Sequence, residues 1–113
     1  MNTGEKNSLY CWVNGDFLSE SEALFGCADP GLMTGMGVFD TLCAYDARPC
    51  DFAKHHARFK LDSKKIGLEL PAIIDLEAVI AELLFRNGQS KGRARLRLTL
   101  FKTLNGQSLV IST

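Results

Sequence analysis

The sequence predicts an α+β fold, an antiparallel sheet with two helices packed on one face, and three observations carry that prediction. Asn-Gly pairs at Asn14-Gly15 and Asn105-Gly106 each separate two strand-forming runs, one pair near each end of the chain. Between them lie two stretches whose periodic face recurs every three or four residues. After the second of these, "RARLRLTLF", Arg93 to Phe101, alternates with period two. At 113 residues and 46% hydrophobic, residues 1–113 suit a single domain with one core.

The elements follow in order. Residues 8–19, "SLYCWVNGDFLS", read as two short strands around Asn14-Gly15, the favoured pair where both turn positions need positive φ. Residues 20–37 show no period and hold Gly26, Pro30, Gly31, Gly35 and Gly37, so an irregular loop is expected. Its apolar Leu24, Phe25, Leu32 and Met33 predict that the loop is packed. Residues 38–45, "VFDTLCAY", have strand composition, and "DARP" then turns the chain toward a helix. Asp51 is the expected N-cap of that helix, with Phe52, His55/His56, Phe59, Ser63 and Ile66 on one face and a stop near Gly67.

Asp75 is positioned to cap the second helix, which buries Leu76, Val79, Ile80, Leu83 and Leu84 and stops at Asn87-Gly88. In the alternating strand, Ala94, Leu96, Leu98 and Leu100 take the packed face, and Arg93, Arg95, Arg97 and Thr99 the other. Asn105-Gly106 then turns the chain into "QSLVIST", the last strand.

Thirteen basic and thirteen acidic residues cancel, which leaves no electrostatic footprint for nucleic acid or an anionic membrane. The expected partner is a small molecule or a protein. Cys11, Cys27, Cys43 and Cys50 lack CxxC spacing and any clustering with histidine, so they read as reduced thiols and no metal site is expected. The first ten residues lack the apolar core of a signal peptide, and no apolar run approaches the ~20 residues that span a bilayer. Together these predict a cytoplasmic protein.

Few residues advertise chemistry. His55 and His56 lie on the first helix with Arg58 nearby, and a helical His with an Arg three residues on could present donors to an anion, while spacing alone favours a capping or packed histidine and a solvated arginine. The Arg93/Arg95/Arg97 ridge could follow a polyanion, or simply be a solvated sheet face. Asp29 and Asp40 could pair for acid/base work, although Asp29 before Pro30-Gly31 is more simply a turn residue. Gly35-Met36-Gly37 precedes a strand, whereas a phosphate loop follows one and opens a helix, so these glycines point to close approach of the backbone to a ligand or another subunit.

Four stretches in this order, "WVNGDFL", "DPGLMTGMGVFDTL", "HHARFKLDSKKIGLELP" and "ARLRLTLF", resemble the N-terminal domain of the class IV (fold type IV) pyridoxal-phosphate enzymes. These are the branched-chain aminotransferases, D-amino-acid aminotransferases and aminodeoxychorismate lyases. The resemblance implies that the cofactor is pyridoxal 5′-phosphate, that Arg58 of the His-x-x-Arg motif reaches its phosphate, and that His55 orients the local structure. A rigid guanidinium fork suits phosphate oxygens. It further implies that Phe39 lines the substrate pocket, that Thr34 stands where an aromatic is usual, and that Arg97 lies near the substrate. Pro30 replaces the usual Arg of the turn.

The resemblance also implies a homodimer, with the Gly35 to Phe39 segment near the dimer contact, and an amino-acid or aminodeoxychorismate-like substrate. It places the lysine that holds the cofactor in a second domain, beyond the strand matching "SLVIST". Lys6, Lys54, Lys60, Lys64, Lys65, Lys91 and Lys102 match no such position, so no catalytic residue is expected in this chain. The sequence is thus read as the first domain of an aminotransferase or lyase, truncated and inactive alone. A free-standing binding or assembly module is the alternative.

Overall fold

The computed structural model describes residues 9–113. Ser8, placed in the first strand run, Lys6 and most of the stretch read for a leader lie outside the described residues. The strands are β1 (Tyr10–Val13), β2 (Asp16–Ser19), β3 (Gly37–Tyr45), β4 (Arg48–Pro49), β5 (Arg93–Thr103) and β6 (Gly106–Ser112); the helices are α1 (Pro30–Met33), α2 (Phe52–Lys65) and α3 (Leu76–Arg86). One six-stranded sheet runs β2-β1-β6-β5-β3-β4, and every pairing in it is antiparallel. The predicted α+β class holds.

Alternation decides which side of the sheet is covered. Leu96, Leu98 and Leu100 of β5 are fully buried and join Leu42, Ala44, Phe59, Ile80, Leu83, Leu84 and Ile111 in one core between the sheet and α2 and α3. α2 and α3 stop where the sequence predicts, and α3 also starts where it predicts. Asp75 Oδ1 accepts from the Ala78 amide at 3.1 Å to cap α3. Gly67 and Gly88 take positive φ of 78° and 68° behind α2 and α3, and the amides of Leu68 and Gln89 bond back to Ser63 and Leu84. Ser63, polar yet buried, donates its hydroxyl to the Phe59 carbonyl one turn back at 2.7 Å.

The first hairpin turns on Asn14 and Gly15, with φ of 51° and 111°, and the Asn14 side chain fastens it to β6 by accepting from the Leu109 amide at 2.8 Å. The second hairpin departs from expectation. Thr103 pairs with Gly106, so the loop is Leu104-Asn105, one residue early, because the Leu104 amide is taken by Asp29 Oδ1 at 3.1 Å.

Four other expectations are corrected. "DARP" closes a hairpin into the two-residue β4 before any helix begins, with Asp46 and Ala47 at φ of 50° and 66°. It lacks a glycine, and Asp46 instead holds Gly92 through a side-chain bond of 2.8 Å. Asp51 occupies the cap position of α2 without capping it, because at φ of 52° it leaves the extended backbone from which a side chain reaches the first amides. Ile66 stands partly exposed at the end of the α2 stripe, and Leu68, beyond the Gly67 turn, takes the buried place. The loop before β3 contains the short α1 and a 3-10 turn at Glu20–Glu22, and it is less packed than predicted, with Leu24 85%, Leu32 67% and Met33 67% exposed. Its contact with the sheet runs through Phe25, Gly31 and Asp29 instead.

Candidate functional site

The uncovered face of the sheet brings together two of the residues singled out by sequence. Thr41 pairs with Arg97, and Arg97 with Ser112; Phe39 sits two pairs further along, opposite Thr99. That diagonal lets the Arg97 guanidinium lie over the Phe39 ring, 3.9 Å from its centroid. The stack forms a shared wall. On one side is an apolar cavity of about 460 Å³ lined by Phe25, Leu32, Val38, Phe39 and Phe101; on the other, a polar one of about 240 Å³ lined by Thr41, Arg95, Arg97, Ser112 and Thr113.

The glycines before β3 build the apolar cavity. A Cβ on Gly31 would lie 2.6 Å from the Phe101 ring, and one on Gly37 would lie 2.9 Å from Phe101 Cβ. Bare backbone is therefore needed for α1 and the start of β3 to close on Phe101. Phe25 completes the contact edge-on, its ring centroid 5.2 Å from that of Phe101. Thr34 is exposed and does not line the cavity, and its hydroxyl is engaged locally, donating to the Pro30 carbonyl at 2.7 Å.

Arg58 belongs to the other side of the sheet. Asp40 follows the alternation of Leu42 and Ala44, so its carboxylate enters the helix-covered layer, where it is 7% exposed. Its Oδ1 accepts from Arg58 Nη2, and its Oδ2 meets His55 Nδ1 at 2.5 Å. His55 and Arg58 are three apart on α2 and reach down together. The Arg58 side chain remains 58% exposed, which leaves donors free for an external anion.

Asp29 and Asp40 do not act as a pair. Asp29 is consumed by backbone amides, Gly26 at 3.0 Å and Leu104 at 3.1 Å, as a turn residue would be. The role of Asp40 was missed from sequence, although a signal existed: period two places an acid among Val38, Leu42 and Ala44, where it requires a buried partner.

No protein-family model matches the chain. A D-alanine aminotransferase from Staphylococcus epidermidis is 29% identical over 89 residues, 78% of this chain and 32% of the relative. An aminodeoxychorismate lyase from Bacillus subtilis is 27% identical over 103 residues, 90% of this chain and 35% of the relative. Among solved structures, the branched-chain aminotransferase from Thermoproteus uzoniensis with norvaline superposes with a TM-score of 0.80 at 24% identity, covering 93% of this chain and 40% of that one. A hypothetical aminotransferase from Mycobacterium tuberculosis in its PLP-bound form gives 0.73 at 21% identity, covering 91% and 38%.

Over most of its length the chain is similar in sequence to a D-alanine aminotransferase and an aminodeoxychorismate lyase, and it shares its fold with a branched-chain aminotransferase. It spans about a third of the length of the curated relatives it matches. All six described lysines of this chain, Lys54, Lys60, Lys64, Lys65, Lys91 and Lys102, are exposed. None has the desolvated surroundings that an amine nucleophile uses. The described helices include none long and apolar enough to cross a membrane.

Proposed function

We propose that this chain is the N-terminal domain of a pyridoxal-phosphate-dependent class IV aminotransferase of the branched-chain or D-amino-acid type. In this reading residues 1–113 supply the phosphate anchor, Arg58, and a pocket wall built from Phe39 and Arg97. One observation carries it: Arg58 is tethered at one nitrogen by a buried acid while more than half its side chain is open to solvent. Such a guanidinium has a set direction and spare donors, which suits a phosphate monoester. Bound pyridoxal phosphate would supply the electron sink for amino-group transfer.

The cofactor-holding lysine would come from a second domain. The open apolar cavity and the exposed Leu24, Leu32, Met33 and Leu104 make up a surface that calls for a cover, and this reading assigns it to that domain and to a second subunit in a cytoplasmic homodimer. A lyase of the same family is the runner-up, supported by the Bacillus subtilis relative that aligns with 90% of this chain. An amino acid or an aminodeoxychorismate-like molecule would be the substrate in either case.

The test is the gene product in its source cells. A polypeptide more than twice as long as 113 residues, carrying bound pyridoxal phosphate, is the expected result. A 113-residue product free of cofactor would overturn the enzyme reading and leave the domain as a free-standing assembly module.

A further inference from the structure

We propose that Asp40 is a positioning residue, whose buried carboxylate sets both the aim of Arg58 and the tautomer of His55. The inference rests on the reading of Arg58 as an anion anchor and extends it to what holds the anchor in place. The acid is shared evenly. Oδ1 takes the Arg58 Nη2 donor, and Oδ2 lies 2.5 Å from His55 Nδ1. An ionised carboxylate only accepts, so Nδ1 carries the proton and, in the neutral ring, Nε2 keeps its lone pair.

With Nδ1 acting as a donor, the 3.1 Å approach of Arg58 Nη2 to that nitrogen is not a bond between the two. It is two donors converging on one acid. Without Asp40 they would stand side by side with no acceptor between them, and both side chains would have to move. The exposure gradient fits an anchor built from below: Asp40 8%, His55 21% and Arg58 58% of the side chain open.

Two effects of Asp40 on an anion at Arg58 have opposite signs. Its negative charge alone would repel the anion, so removing the charge would tighten binding. Its hold on the guanidinium fixes donor direction, so losing that hold would weaken binding. The sign of the change therefore decides whether the acid acts by aim.

The experiment titrates the full chain with pyridoxine 5′-phosphate, which has no aldehyde to react with surface lysines, and with pyridoxine as the phosphate-free control. For Asp40→Asn we expect affinity for the phosphate ester to fall by about tenfold, with pyridoxine binding unchanged. Equal or tighter binding of the ester would overturn the proposal.

Arg58→Ala tests the underlying reading separately. If it leaves phosphate-dependent binding intact, Arg58 is not the anchor, and the proposed function loses its support whatever Asp40 does. Nitrogen-15 spectra of the His55 ring keep the clamp testable even then, or if Asp40→Asn folds poorly. The unsubstituted chain should show the Nδ1–H tautomer, and an Nε2–H tautomer would remove the clamp.

Discussion

On β5, Leu96, Leu98 and Leu100 are fully buried beneath the helices, while Arg95 and Arg97, each one residue away, stand exposed on the other face. The backbone is the same for both sets. What differs is what each position is asked to do. Every covered position faces the same demand, removal of apolar surface from water, and leucine recurs. The uncovered positions are released from that demand, and their chemistry diverges into guanidinium, hydroxyl and aromatic groups that line two unlike cavities.

The largest expected effect comes from breaking the covered face. Leu98→Ala should cost about 3 kcal/mol, because the removed methyls leave a void in a layer with no room to collapse. Its neighbour Thr99→Ala should cost under about 0.5 kcal/mol, since it lines an open cavity. Urea denaturation of the two variants measures the contrast directly. Equal losses would mean that the uncovered face is as tightly packed as the core.

A smaller effect is expected where the open face is itself crowded. Gly31→Ala would place a Cβ 2.6 Å from the Phe101 ring and 3.0 Å from the Lys102 carbonyl. The ring could turn aside, but the backbone carbonyl could not. A cost of about 2 kcal/mol is expected, with loss of the ring-current shifts that Phe25 and Phe101 impose on each other. An alanine tolerated without either change would show that the loop is free to lift from the sheet.

This difference between the faces also explains what was legible in the sequence. The covered layer announces itself by periodicity: β5, α3 with its Asp75 cap and Gly88 stop, and the Asn14-Gly15 hairpin all follow from local pattern. Local pattern failed where a distant partner overrides it. The Leu104-Asn105 turn is shifted because Asp29, 75 residues earlier, takes the Leu104 amide. The Asp46-Ala47 turn dispenses with glycine because Asp46 is tied to Gly92 across 46 residues. Ala47 then accepts a left-handed backbone for the sake of that docking.

The site was legible in the same partial way. Arg58 and His55 could be chosen from their spacing, and Phe39 and Arg97 from the resemblance, but the layer each pair occupies required the fold. Phe39 and Arg97 face the cavities, whereas Arg58 rises past the covered side. Asp40, which connects the helix pair to the sheet, carries one local sign of its role, the period-two register with Val38, Leu42 and Ala44, but the partners it meets there required the fold.

The smallest effect expected is also the most specific to the open face. Arg97 and Phe39 are both exposed, Phe39 at 60%, so their stack is bathed in water and should couple by only about 0.5–1 kcal/mol. A double-mutant cycle with Arg97→Ala and Phe39→Leu reads that coupling from four denaturation curves. Arg97→Lys should recover little of it, because the flat guanidinium lies over the ring as a compact ammonium does not. A coupling of zero would mean that the wall between the two cavities is not formed by these side chains. A value at the top of the range would mean that the open face is organised in the free chain, its apolar and polar cavities already divided before any ligand arrives.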